Sequence, residues 1–212
     1  MLQKIKSDWS DFCIVAAPGP SLTLEVAAQC RGHKVIAVND AYRLLPFADI
    51  LYGCGALWWQ VHKGCVGFAG EKWSSHCLER NNKLQTAEKY GLNLVRGADA
   101  DEFSFDPDRI HYGDNGGFQA VNFGILKLGA KGRIALVGFD MRIVDGKRHF
   151  FGDHPAPLVN TSPSGGYKRW PKIFETASRS LPAWLEIVNC TPGSALTCFP
   201  MMDLADALPV AA

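Results

Sequence analysis

His149 and His154 flank Phe150, Phe151, Gly152 and Asp153, in a stretch rich in Pro, Gly and Ser. Imidazole titrates near neutrality, so either ring can act as a general acid or base. Asp153 can orient a histidine or hold a divalent ion. A second group is Asp114, Asn115, Gly116 and Gly117, which precedes the apolar segment Phe118–Gly129 and then the run from Arg133 to Asp140. A polar, Gly-rich turn that opens a helix presents backbone N–H groups to an anion. A buried strand ending on Asp140 brings a carboxylate beside it. The segment from Phe12 to Ser21 repeats the design with an apolar run, a Gly/Pro turn and a capping serine. Together these residue types suit anion binding with proton transfer close by.

The elements that must position them follow from hydrophobic pattern. Phe12–Ala16 reads as a strand, Ala17–Ser21 as a turn and Leu22–Gln29 as a helix, with Ser21 and Thr23 available as caps. Val35 to Val38 is a continuous apolar run, as expected of a strand covered on both faces. Further strands are expected at Asp49–Gly53, Phe68–Ser74, Leu92–Arg96, Ile134–Val137 and Leu185–Asn189. Helices are expected at Ala41–Leu45, Trp58–His62, Leu84–Tyr90, Phe118–Leu128 and Trp170–Leu181, the last with Pro171 in its first turn. A short one is expected to open at Pro192–Leu196. Ala98–Tyr112 reads as an exposed loop where a lid would lie. Val144–Lys147 carries an Asp-Gly hairpin turn, and residues 142–166 form a small insertion.

Strands alternating with helices over short connectors predict an α/β chain with an open, mostly parallel sheet and helices on both faces, one domain over residues 1–212. Ligands in such sheets bind beyond the carboxyl ends of the strands. Placed there are Pro18, Gly19 and Ser21; Asn39 and Asp40; Gly53 and Gly55; Asp140 and Met141; and Thr191 to Ser194. Tyr167, Lys168 and Arg169 follow a Gly-Gly joint, where a cation can meet a phosphate. His33, His62, His76 and His111 stand in no partnered motif.

The bulk numbers narrow the classes. With 212 residues, 47% of them hydrophobic, the chain fills a real core, and a net charge of +1 carries no nucleic-acid or membrane footprint. No stretch reaches the roughly 18 apolar residues of a membrane span, and the N-terminus lacks a signal-like apolar core. The seven cysteines (Cys13, Cys30, Cys54, Cys65, Cys77, Cys190 and Cys198) are odd in number and form no CxxC pair. The expectation is a cytoplasmic protein without a zinc site or disulfide framework.

Several of these segments resemble a known group. Ala17 to Leu22 is similar to the "G-x-G-P-S-L" turn of the bacterial sialyltransferases of the Campylobacter lipooligosaccharide type. The same turn occurs in the archaeal 6-hydroxymethylpterin diphosphokinase-like proteins, which have bacterial and phage relatives. Val38 to Tyr42 resembles their second-strand end. Asn115 to Ala120, Gly129 to Lys131 and Val137 to Met141 resemble their "N-S-G-x-x-A … G-A-K-x-I-x-L-x-G-x-D" block. Cys190 to Leu196 resembles a late "C-x-P-x-S-x-L" turn. The order is kept from about residue 12 to 196, and the chain reads as a short phage or prophage relative.

The resemblance implies a Rossmann-like fold with a nucleotide lying across Gly19, Ser21, Asn39 and Asn115–Gly117, with Asp40, Asp140, Thr191 and Ser194 nearby. From the sialyltransferases it implies a transferase using a CMP-type sugar without metal, with His154 or His149 as the base. The acceptor would be a small molecule or glycan. From the diphosphokinases it implies ATP, a hydroxymethylpterin-like alcohol, and Mg²⁺ placed by Asp140 and Asp153. A non-catalytic nucleotide-binding or interaction module is the remaining reading, and homo-oligomers are allowed by all three. Two departures stand out: Pro18 removes an N–H from the first turn, and Gly116 stands where the family carries Ser.

Overall fold

Alternation along β1 (Phe12–Ala16) decides where the core lies. Cys13 and Val15 join one apolar cluster, and Ile14 and Ala16 join another. Successive side chains on a strand point to opposite faces, so β1 is covered on both sides. A computed structural model of the chain describes residues 2–76, 82–160 and 165–209; Cys77 and the side chain of His76 lie outside them, as do residues 161–164 of the predicted insertion.

The remaining strands are β2 (Val35–Val38), β3 (Ile50–Tyr52), β4 (Glu71–His76), β5 (Asn93–Ala98), β6 (Arg109–His111), β7 (Gly132–Val137) and β8 (Leu185–Asn189). They form one eight-stranded sheet in the order β6-β5-β4-β3-β2-β1-β7-β8. Every pairing in it is parallel. The chain walks outward from β1 to β6, then crosses back to β7 on the other side of β1. The order therefore reverses between β1 and β7, where Val15 is in register with Leu136. In an open sheet that reversal leaves a crevice at the strands' carboxyl ends.

The crossover is helix α4 (Gly116–Lys127). Asn115 caps it in extended conformation, its Oδ1 accepting the N–H of Phe118 at 2.8 Å. Phe118, Ala120, Val121, Phe123, Ile125 and Leu126 bury themselves against β1, β2 and β7, each large side chain contributing roughly 1.5–3 kcal/mol. Gly129, at φ 64°, ends it, while Ala130 N–H returns to Ile125 O at 2.8 Å. Helix α5 (Gly166–Ser178) packs in the same layer through Ile173, Phe174 and Ala177. The other face is covered by α1 (Leu24–Gln29), α2 (Ala56–Val61) and α6 (Leu204–Ala207). Helix α3 (Asn82–Tyr90) follows β4 and contacts α2. The fold is α/β and Rossmann-like. Among the described residues no helix is long and apolar enough to cross a membrane.

Three local expectations are corrected. Ala98–Tyr112 is not merely an exposed loop: it contributes edge strand β6 and buries Phe103 and Ile110. A three-residue strand with one apolar side chain leaves no periodicity to read. The buried Asn122 amide organises this segment instead, bonding the Ser104 N–H and carbonyl and the His111 N–H. Pro171 lies inside α5, which begins earlier, at Gly166. Pro192–Leu196 is a turn, and the short C-terminal helix is α6. Trp58 and Trp59 are buried, 5% and 1% exposed, in the helix expected there.

Candidate functional site

The crevice between β1 and β7 holds about 580 Å³, part of it open to solvent. Its floor is Ala17 to Gly19 after β1, Val38 and Asn39 after β2, and Gly138 to Met141 after β7. The start of α4, Asn115 to Gly117, supplies one wall, and His149, Arg148, Tyr167 and Trp170 the other.

The first turn is built around Gly19. Its N–H bonds Gly138 O at 3.0 Å, drawing the ends of β1 and β7 together. An added Cβ there would lie 2.1 Å from Asp140 Oδ2 and 2.3 Å from Gly138 O, so only glycine permits the approach. Pro18 lacks an N–H, but its carbonyl accepts the N–H of Phe150 at 3.0 Å. That bond hooks the predicted insertion onto the turn and brings His149 to the rim. In the insertion, Val144 and Lys147 pair across Asp145 and Gly146, both at positive φ, as the Asp-Gly hairpin signal predicts.

At α4, the N–H groups of Gly116 and Gly117 precede the first intrahelical donor, Gln119 N–H, and both residues line the crevice at the positive end of the helix dipole. A Cβ at Gly116 would meet Cys54 Sγ at 3.5 Å and Asn39 Nδ2 at 3.7 Å, ordinary contacts that leave room for a side chain. Asn39 adopts φ 47°, which Asn tolerates better than most residues, and its buried Oδ1 has no hydrogen-bond partner. An unused acceptor on a crevice wall suits a donor group on a ligand.

Asp140 is 3% exposed and accepts the Ser21 hydroxyl at 2.8 Å and the Ser21 N–H at 3.3 Å through Oδ2. Burial holds its carboxyl above the ordinary carboxylate value, and the Ser21 bonds offset part of that rise. Such an acid keeps its proton longer in the fold than in the unfolded chain. Its contribution to stability therefore shrinks as pH rises from the ordinary value of 3.8 through the raised one. Asp140→Asn should remove that slope, which urea denaturation between about pH 4 and pH 7 would read as a flatter stability profile than wild type.

The two histidines divide. His149 lines the crevice with Nδ1 at 3.1 Å from Gly152 O. A carbonyl only accepts, so Nδ1 carries the proton and Nε2 holds the lone pair. Burial, then the neighbouring His154, pushes its pKa down to about 4, leaving a neutral base at neutral pH. His154 stands behind it, ring centroids 4.5 Å apart, outside the crevice lining.

The other sequence candidates are placed as follows. Gly19, Asn39, Asn115, Gly116, Gly117, Asp140 and His149 meet at the crevice. Ser21 stands beneath, on Asp140. Asp40 turns away from the crevice, toward Trp58 and two histidines. Thr191 Oγ1 accepts the Phe139 N–H at 2.9 Å, and the Ser194 hydroxyl donates to Phe139 O, so both brace the turn after β7. Asp153 is held by Arg148, whose Nη1 donates to both its oxygens at 2.8 and 2.9 Å. Arg169 pairs with Asp114, which Trp170 Nε1 also bonds at 3.0 Å. Among the described residues no group of three His, Cys, Asp or Glu side chains is arranged to hold a metal ion.

Sequence reasoning missed Arg142, Arg148 and Trp170 as lining residues. Arg142 bonds Gly193 O through Nε at 2.7 Å and stands at the rim. Both arginines sit around a hairpin that looked like a connector, and only its folding back over the strand ends brings them to the site.

No protein-family model matches the chain. No curated protein matches it. Among solved structures it resembles the MAf glycosyltransferase from Magnetospirillum magneticum AMB-1, with a TM-score of 0.63 and 17% identity. The likeness is one of fold. It covers 99% of this chain but 36% of the larger one, so the chain spans about a third of that protein's length.

Proposed function

We propose that the chain is a nucleotide-dependent transferase that moves a glycosyl group from a nucleotide-activated sugar, of the CMP type, to a small-molecule or glycan acceptor. The observation that carries this reading is the convergence of Gly19, the α4 N-terminus and a neutral His149 on one crevice at the sheet reversal. The glycosyltransferase-like fold and the order of the sialyltransferase-like motifs support it. The acceptor hydroxyl gives its proton to His149 Nε2 as its oxygen bonds the anomeric carbon. The bond from that carbon to the phosphate oxygen breaks, and its electron pair leaves on the phosphate. The N–H groups of Gly116 and Gly117, with Arg142 at the rim, offset that charge. In this reading Asn39 Oδ1, unpartnered in the ligand-free fold, takes a donor of the base or ribose.

The Mg²⁺-dependent diphosphokinase reading draws less support, because Asp140 already serves Ser21 and Asp153 already serves Arg148. Thermal shift with CMP, CDP, UDP and ATP, each with and without Mg²⁺, tests the choice. A nucleotide at 100 times its Kd should add about 2.7 kcal/mol of stability. A response to cytidine nucleotides without Mg²⁺ is the expected result. A response to ATP only with Mg²⁺ would move the reading to pyrophosphoryl transfer, and no response to any nucleotide would leave an interaction module.

A further inference from the structure

Behind His149 lies a buried ionisable cluster that the transfer reading does not use. Asp40 follows Asn39 in the short 3₁₀ turn Asn39–Arg43 and is 2% exposed. Its Oδ2 accepts the Trp58 indole N–H at 2.8 Å. Two imidazole nitrogens stand off the same oxygen, His62 Nε2 at 3.6 Å and His154 Nδ1 at 3.7 Å. Both are buried, and neither has a hydrogen-bond partner. Trp58 stacks on His62 with centroids 4.4 Å apart. His154 is held by its backbone: Asn160 Oδ1 accepts its N–H at 2.8 Å and Asn160 Nδ2 donates to its carbonyl at 3.1 Å. With its backbone so anchored, the ring has an unpartnered Nδ1 about half an ångström beyond hydrogen-bonding distance of a buried carboxylate.

We propose that Asp40 is a positioning residue, whose carboxylate keeps the His154 proton on Nδ1 and so fixes the ring packed against the crevice base His149. The proposal rests on reading His149 as that base. With Nδ1–H turned to Asp40, His154 presents its Nε2 lone pair, and the carboxylate offsets positive charge arriving at His149. The proton path is unchanged: it runs from the acceptor hydroxyl to His149 Nε2, and no other bond is altered. The groups around the pair are Arg43, 3.6 Å from Asp40 Oδ1; Tyr42 and Cys65 on the Asp40 side; His62 from α2; and Asp153 with Arg148 from the insertion. Burial pushes His154 down, Asp40 draws it back up, and His62 pushes it down again.

Side-chain ¹⁵N–¹H correlation spectra of the whole, ligand-free chain test this, comparing wild type with Asp40→Asn and Trp58→Phe. Wild type should show His154 as the Nδ1–H tautomer. Asp40→Asn should lower its titration midpoint by about one pH unit or more, a tenfold loss in proton affinity. Trp58→Phe, which keeps the carboxylate, should hold the midpoint close to wild type. An Nε2–H tautomer in wild type overturns the proposal even if Asp40→Asn fails to fold, as does an unmoved midpoint in folded Asp40→Asn. With a donor that the crevice turns over, Asp40→Asn should lower kcat about tenfold or more with KM little changed; an unchanged kcat also overturns the role. A crevice that binds no nucleotide ends the transfer reading instead, and the spectra still decide whether Asp40 holds the His154 proton.

Discussion

Replacing His149 with alanine should slow glycosyl transfer by about 10²–10⁴-fold, the usual contribution of a positioned general base. Donor affinity should change little, because in the proposed reaction the ring meets the acceptor's proton while α4 and the first turn hold the nucleotide. The pH profile gives a sharper test. Burial and then His154 hold His149 to about 4, so the acidic limb of the rate should fall near there and not near the ordinary 6.5. The same shift is a stability statement. Between 6.5 and about 4 the unfolded chain takes up a proton that the folded ring refuses. The His149 contribution is therefore complete above 6.5 and is lost as pH falls through about 4. Steady-state rates of wild type and His149→Ala from about pH 4 to pH 8 would show both effects. Turnover undiminished in His149→Ala removes it as the base, and a loss confined to His154→Ala transfers the role one ring inward.

Gly19→Ala should be one of the most damaging single methyls in the site. The new Cβ would overlap Asp140 Oδ2 at 2.1 Å and Gly138 O at 2.3 Å. Asp140 can swing aside only by abandoning Ser21, and Gly138 O belongs to the backbone that joins β7 to the crevice. Overpacking of this kind costs roughly 1–3 kcal/mol, several degrees in Tm for a chain of this length. Nucleotide affinity should fall about tenfold or more, since one tenfold step needs only about 1.4 kcal/mol. Gly116→Ala is the matched control, on the wall supplied by α4. Its Cβ meets nothing closer than 3.5 Å, and alanine suits a helix better than glycine, so the variant should keep or slightly gain stability. Denaturant unfolding of the two variants would read the contrast. Equal stability for both would contradict the packing described for the first turn.

The strands were legible where burial on both faces made them continuous, as at Val35–Val38, or where a Gly-rich turn announced a helix, as at Asn115–Gly117. The crevice floor followed from the same features, because strand ends in a parallel sheet share one rim. What sequence could not supply was side-chain direction. Asn39 and Asp40 are adjacent, yet one lines the crevice and the other faces the interior. His62 carried no motif and gained its meaning only from a carboxylate 22 positions earlier in the chain. Asp153 looked like an orienter for the histidines, but Arg148, five positions back, takes both its oxygens.

The walls of the crevice are drawn from segments as far apart as Ala17 and Trp170. The stretch from Asn115 to Trp170 carries much of it, but the turn after β1 and the end of β2 must fold against that stretch to complete it. A ligand held in the crevice would therefore link the N-terminal strands to the second half of the chain, and its binding would draw on the free energy of their association.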